Sequence, residues 1–296
     1  MISYNSKDWL TVLFRFNKAD TVRKLLPLII AFCIYSGILA FIELEILNLS
    51  KNDHFRNISL MHNLLGFAIS MLLVFRTNTA YDRWWEGRKL WGALTNNSRN
   101  LALKLDAILP AEDLVNRNFF RKAITLYASM LRDHLRSEKT RLALDEIDHP
   151  ELAVDEQRHL PNQVAALLMK RIQELYQKKI ITGDQLIILN TELISFTDIC
   201  GACERIKNTP IPYSYSVFIK KFIFIYVLTL PIGYVFNMGY LVIPVVAFVF
   251  YVLGSLELIA EEIEEPFGGD ANDIPTGKIA DNIRIHITEI LTPNHA

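Results

Sequence analysis

Seven carboxylates, Glu257, Glu261, Glu262, Glu264, Glu265, Asp270 and Asp273, lie between Ser255 and Pro275 with no Lys or Arg among them. They read either as a solvated helix end or as hard oxygen ligands around the Pro266-Phe267-Gly268-Gly269 turn, able to hold a cation such as calcium, which takes six to eight oxygens. Cys200 and Cys203 have redox or metal spacing. They stand alone on an apolar helical stretch, with no second pair and no preceding strand, so core packing is the preferred reading. Glu156 and His159 match the carboxylate-histidine spacing of di-iron bundles, which need that motif on two helices. Only one copy exists, beside Pro161 in a polar stretch, and this favours a solvated surface. His62 interrupts an otherwise uncharged run. It faces protein or water at membrane depth, or sits at the outer headgroup level. With no Gly-rich phosphate loop, nucleophile elbow or paired catalytic constellation, an enzyme is the least supported class.

The elements that carry these residues divide into apolar and polar parts. Hydrophobic residues make up 51% of the 296 residues and the net charge is -1, values near those of soluble proteins, because the hydrophobicity is concentrated. Leu25 to Ile42 is an uncharged run of 18 residues, and Ile58 to Phe75 is another whose only titratable residue is His62. Phe222 to Val235 and Tyr240 to Leu256 form a charge-free pair around Asn237-Met238-Gly239. Each long run approaches the roughly 20 residues needed to cross a hydrocarbon core of about 30 Å. Four spans are therefore expected, with Pro27, Pro231 and Pro244 tolerated inside them because neighbouring helices satisfy the freed backbone groups.

Between the spans, about 76–221, the chain is helical and soluble in character. Leu114, Phe119, Ala123, Leu126 and Met130 repeat at helical spacing, as do Val164, Leu167, Leu168, Ile172 and Leu175, then Leu186, Leu193, Ile199, Cys203 and Ile206. A turn is expected at Pro110, a polar connection from Ser137 to Pro161, and a helix end at Pro210-Ile211-Pro212. No breaker stands where the apolar second span runs into the polar arginine-rich segment, so one helix is expected across the junction; continuous from Ile58 to Leu109, it would be far longer than a bilayer is thick. An acidic segment, 257–296, completes a single unit, 1–296.

Lys18, Arg23 and Lys24 precede the first span, Arg83, Arg88 and Lys89 follow the second, and Lys220 and Lys221 precede the third. By the positive-inside rule both termini and the middle region are cytoplasmic, in a multi-pass inner-membrane protein. Met1 to Phe16 lacks the apolar core of a cleavable signal, and three cysteines suit a reducing compartment. In the second span Phe67, Met71 and Phe75 lie four residues apart, with Asn63 a turn before, so they form one helical stripe. On spacing alone such a stripe is a packing contact.

Arg76-Thr77-Asn78-Thr79-Ala80-Tyr81-Asp82-Arg83-Trp84-Trp85-Glu86-Gly87-Arg88, with Leu90-Trp91-Gly92 behind it, resembles the signature of bacterial bestrophins. Cys203-Glu204-Arg205 followed by Thr209-Pro210-Ile211-Pro212-Tyr213, and Glu261-Glu262-Ile263-Glu264-Glu265-Pro266-Phe267-Gly268, extend the resemblance in family order. It implies an all-α integral membrane protein with four spans and a cytosolic helical bundle, assembled as a homopentameric channel. The stripe of Phe67, Met71 and Phe75 then becomes the apolar neck of a central pore, gating by dewetting. Counting back without gaps from Cys203-Glu204-Arg205 puts the second, cytosolic aperture at Asp184, beside Gln185, where the family usually has an aliphatic residue. Five such carboxylates would favour cations, and bacterial members prefer monovalent cations where eukaryotic ones pass anions. Eukaryotic members bind activating calcium, and position by position from Pro266-Phe267-Gly268 its side-chain ligands fall on Glu262, Glu265, Asp270 and Asp273. Two of these are Glu where the eukaryotic pattern has amides. The expectation is thus no required cofactor, calcium as the one candidate ion, and the lipid bilayer, further copies of the chain and monovalent ions as partners, with no nucleic acid. A membrane carrier or scaffold without channel activity is the alternative.

Overall fold

The structure, a computed structural model, describes residues 21–47, 58–136 and 159–292, and among these every regular element is helical. Met1, Lys18, Glu156, most of the Ser137 to Pro161 connection and Ala296 lie outside the described residues. Helix α1, Thr21–Phe41, carries Pro27 and runs on as a π-helical turn, Ile42–Leu47. Helix α2, Ile58–Ile108, is 51 residues long without a break, as the sequence predicts. At 1.5 Å per residue it extends about 75 Å, more than twice a hydrocarbon core of about 30 Å. Pro110 follows its end, and the Arg117 guanidinium donates to the carbonyls of Leu109 and Pro110 at 2.9 and 3.0 Å, satisfying groups that no further turn can reach.

Helix α3, Leu114–Arg136, starts where Asp113 Oδ1 accepts the Asn116 N–H. His159 caps α4, Leu160–Gln177, and Pro161 sits in its first turn. The polar connection therefore ends earlier than expected, because a proline in the first turn lacks only an N–H that would have had no intrahelical partner. Helix α5, Gly183–Asn208, opens with a capping box of Thr182 and Gln185. Helices α6, Tyr213–Met238, and α7, Val242–Glu264, are joined by a short 3-10 turn, Gly239–Leu241, in which Gly239 takes φ +56, a conformation that favours glycine. Helix α8, Thr276–Leu291, is the last.

The described residues gather into two compact units, each with its own core: those within 1–84, 210–265 and 270–272 form the first, and those within 85–209, 266–269 and 273–296 the second. In the first, α1 packs on α7 and α7 on α6. Leu25, Phe32, Ile69, Leu73, Ile223, Val227, Val246 and Phe250 are buried there, with the rings of Phe32 and Phe250 4.7 Å apart. In the second unit, α3 packs on α4, α5 and α8. Phe119, Phe120, Leu131, Leu168, Phe196, Ile283 and Ile287 fill the space between them.

Helices α1 and α2 and the α6–α7 pair are long and apolar enough to cross a bilayer, in keeping with the four expected spans. By length and hydropathy α5 also qualifies. One side of it, however, packs within the second unit, where Leu189, Leu193, Phe196, Cys200 and Cys203 are buried and Glu192 accepts from Lys104 at 2.7 Å.

Candidate functional site

Helix α2 has two unlike faces along its apolar half. His62, Ile69, Leu73, Arg76 and Ala80 are buried. Phe67, Met71 and Phe75 are 69%, 44% and 57% exposed, and Leu64 and Val74 extend the same bare stripe. Asn63 lies at its margin, where its Oδ1 accepts the Tyr234 hydroxyl at 2.9 Å. His62, whose depth and facing were open from sequence, points into protein: its Nε2 is 3.0 Å from Thr229 Oγ1 and its ring lies against Tyr226 and Tyr234. A Cβ on Gly66 would meet the Tyr226 hydroxyl at 2.7 Å, so this glycine permits the approach of α2 to α6.

At the end of the apolar half, three separated motifs meet on one carboxylate. Arg76, 1% exposed, donates to Glu264 Oε2 at 2.7 Å and stands 3.5 Å from Glu257, while the Ile211 N–H donates to Glu264 Oε1 at 2.7 Å. Arg83 Nε donates to the Glu264 carbonyl, and the Trp84 indole N–H to that of Asn272. The arginine-rich run, the Pro-Ile-Pro break and the acidic block are thus fixed together in the first unit. In the second unit, Glu86 of the arginine-rich run accepts from Arg205 at 2.7 Å.

Glu262, Glu265 and Asp270 line one cavity of about 480 Å³ with Glu261, Glu264 and Lys24. Asp273 is buried and falls in the second unit. Although the acidic stretch itself holds no cation, Lys24 brings one from 238 residues away, donating to Glu262 Oε1 at 2.6 Å, and Asn272 Nδ2 donates to Oε2 at 2.7 Å. A divalent ion at Glu262 would compete with both bonds. The oxygen-rich donor set suits a hard cation, while Lys24 already compensates the charge of Glu262.

On α5, Asp184 is exposed in the first turn, where a carboxylate meets the positive end of the helix dipole. Gln185 Oε1 accepts the Thr182 N–H at 2.9 Å, so its side chain serves the cap. One turn on, the aliphatic Ile187 and Ile188 are 68% and 47% exposed on the side that Asp184 shares.

A bacterial/fungal bestrophin family model matches residues 1–289. The chain belongs to the bestrophin family. Voltage-dependent anion channel-forming proteins of Nostoc sp. and Mesorhizobium japonicum are 34% and 29% identical to it, over 77% and 94% of this chain and 77% and 89% of theirs. The crystal structure of a bestrophin homologue from Klebsiella pneumoniae superposes with a TM-score of 0.77 at 26% identity, covering 89% of this chain and 97% of that one.

In this bestrophin the tempting thiols are core residues, as expected: Cys200 and Cys203 are buried, and burial pushes the Cys200 thiol up to about 12 and Cys203 higher still. The Tyr127 hydroxyl donates to the Phe196 carbonyl at 2.6 Å, and its burial likewise raises the phenol. His159 keeps 33% of its side chain exposed, in keeping with the surface expectation, and makes contacts that the sequence did not signal: it caps α4 through Nδ1 and meets Glu204 through Nε2, and Glu204 also meets His134. No spacing rule linked these three residues, since they lie on separate helices. Arg76 and Glu264 stood inside motifs, but nothing in the sequence paired them.

Proposed function

We propose that this bestrophin is a passive ion channel of the inner membrane, a homopentamer whose central pore is narrowed at a neck of Phe67, Met71 and Phe75. The carrying observation is the bare apolar stripe on α2, opposite the face by which that helix packs. One chain leaves the stripe uncovered, and a ring of copies turns it inward around an axis, which is the closed-symmetry solution for a central conduit. Rings of large apolar side chains offer an ion nothing in place of its lost water, so they gate by dewetting. The names of the Nostoc and Mesorhizobium relatives, channel-forming proteins, support conduction over a carrier or scaffold role.

In this reading the helices of 76–221 and both termini are cytoplasmic, as the Lys and Arg flanks favour. Asp184 lines the cytosolic aperture and biases it towards monovalent cations, with Gln185 braced behind it by the cap. The relatives' names favour anions instead, a reading in which the aliphatic Ile187 faces the axis and Asp184 only completes a helix start. Asp184→Asn should bring the reversal potential in a salt gradient towards zero, and an unchanged anion-selective value would support the second reading. Calcium is not required for conduction, and Glu262, Glu265, Asp270 and Asp273 are its candidate ligands.

The deciding experiment shortens Phe67, Met71 and Phe75 to Ala together and records planar-bilayer currents beside a melting curve. Conductance should rise clearly with assembly kept. A folded triple variant with wild-type conductance would remove the neck, and a purified protein that passes no unitary current would favour the carrier or scaffold.

A further inference from the structure

His134 lies in the last turn of α3, His159 caps α4, and Glu204 lies near the end of α5. Glu204 Oε1 is 2.6 Å from the Nε2 of each histidine, and the imidazole rings are 4.4 Å apart. One ligand atom from each of the three residues falls within 4.8 Å of the others. The side chains are 29%, 33% and 28% exposed, so an ion and its water have access. Two imidazoles and one carboxylate with an open fourth position form a donor set that zinc takes in tetrahedral geometry.

We propose that His134, His159 and Glu204 form a binding site for a divalent transition-metal ion, zinc fitting best, with water in the remaining position. Zinc bonds of about 2.0–2.1 Å set tetrahedral ligand atoms about 3.3 Å apart. The 2.6 Å contacts to Glu204 must therefore open by less than about 1 Å, which rotation of part-exposed side chains supplies. The carboxylate is already charged: burial works against its ionised form, but the hydrogen bonds from His159 and His134 outweigh that and hold its pKa below the usual range.

His159 makes the transition specific. Its Nδ1 accepts the Asn162 N–H at 3.2 Å, so without metal the ring hydrogen sits on Nε2, towards Glu204. When the ion takes the Nε2 lone pair, that hydrogen passes through solvent to Nδ1, and the Asn162 N–H turns to water. Losing such a cap weakens binding roughly fivefold, a loss that a micromolar site absorbs. His134 and His159 stand 25 positions apart, on either side of 137–158. A shared ion binds the folded arrangement of the three side chains and not the unfolded chain, so it stabilises the fold by that linkage.

The test uses the full chain in detergent, stripped with a chelator and titrated with zinc chloride by calorimetry and with cobalt chloride by visible absorption. One zinc per chain at micromolar affinity or tighter, the intense cobalt bands of a tetrahedral site, and no displacement by excess calcium are expected. His134→Asn, His159→Asn and Glu204→Gln should each weaken zinc at least roughly tenfold. His159→Asn keeps a side chain that caps well, so its loss of metal would not be a loss of fold. Absence of micromolar binding overturns the proposal. So does zinc binding undiminished in all three variants, which would assign the ion elsewhere, such as the carboxylates of 257–273.

Discussion

Two polar clusters in this protein solve the same problem in opposite ways. Around Arg76, a guanidinium sealed from solvent is matched by Glu264 and Glu257, and the Glu264 carboxylate also receives a backbone N–H. Around Glu204, a carboxylate open to solvent is shared between two imidazoles. The first cluster is a fixed charge pair whose members cannot be separated cheaply. The second consists of three part-exposed side chains, and water can take over for any member. A buried charge commits the fold, whereas a half-buried one leaves room for chemistry.

Arg76→Ala is the harshest way to break this contrast. It leaves Glu264 and Glu257 without their cation, and breaking such a buried pair costs about 3–5 kcal/mol, which a melting curve of the detergent-solubilised protein should show as a large fall. Glu204→Gln, measured without metal, removes charge-assisted hydrogen bonds and should cost about 1–2 kcal/mol at neutral pH, discounted for exposure. Because the Glu204 pKa is lowered in the folded protein from its ordinary 4.5, its stabilisation is present above that value and is lost as pH falls through the folded value. Melting temperature against pH should therefore fall less steeply on the acid side in Glu204→Gln than in wild type. His159→Ala should be about 1 kcal/mol less stable than His159→Asn, the difference measuring the cap alone. Lys24→Ala should change stability by less than about 1 kcal/mol, since Lys24 is half exposed even though Glu262 is not. A fall as large as that of Arg76→Ala would show that the acidic cavity depends on it.

The sequence made the first cluster's neighbourhood visible and the second's invisible, for a physical reason. Uncharged runs and unbroken helical pattern are local signals, so the spans, the continuous α2 and the buried Cys200 and Cys203 could be read directly. Arg76 and Glu264 lie inside conspicuous motifs, though only the fold brings them within 2.7 Å. Lys24 and Glu262, or His134, His159 and Glu204, are single residues on unrelated helices, and no periodicity connects them. The pattern around His159 points only to its neighbours in the chain, whereas Glu204 lies 45 positions away. Pro161 marks a boundary without saying on which side of it the helix begins, and the helix begins before it. The stripe of Phe67, Met71 and Phe75 was legible as a stripe, but its exposure appears only when the other face of α2 is seen to be the packed one.

The packing of α1 on α7 also sets a schedule for biosynthesis. Leu25 and Phe32 find Phe250 and Leu253 only after more than two hundred further residues have been made. At about 5–20 residues per second this is an interval of roughly 10–40 s. During that time α1 and α2 are without the α6 and α7 residues that later share their core. Most of the second unit, 85–209, is made within the same interval, and α8 follows only after it. Neither unit is whole until its last helix has followed, α7 for the first and α8 for the second, so α1 and α3 must each wait for a partner made at the far end of the chain.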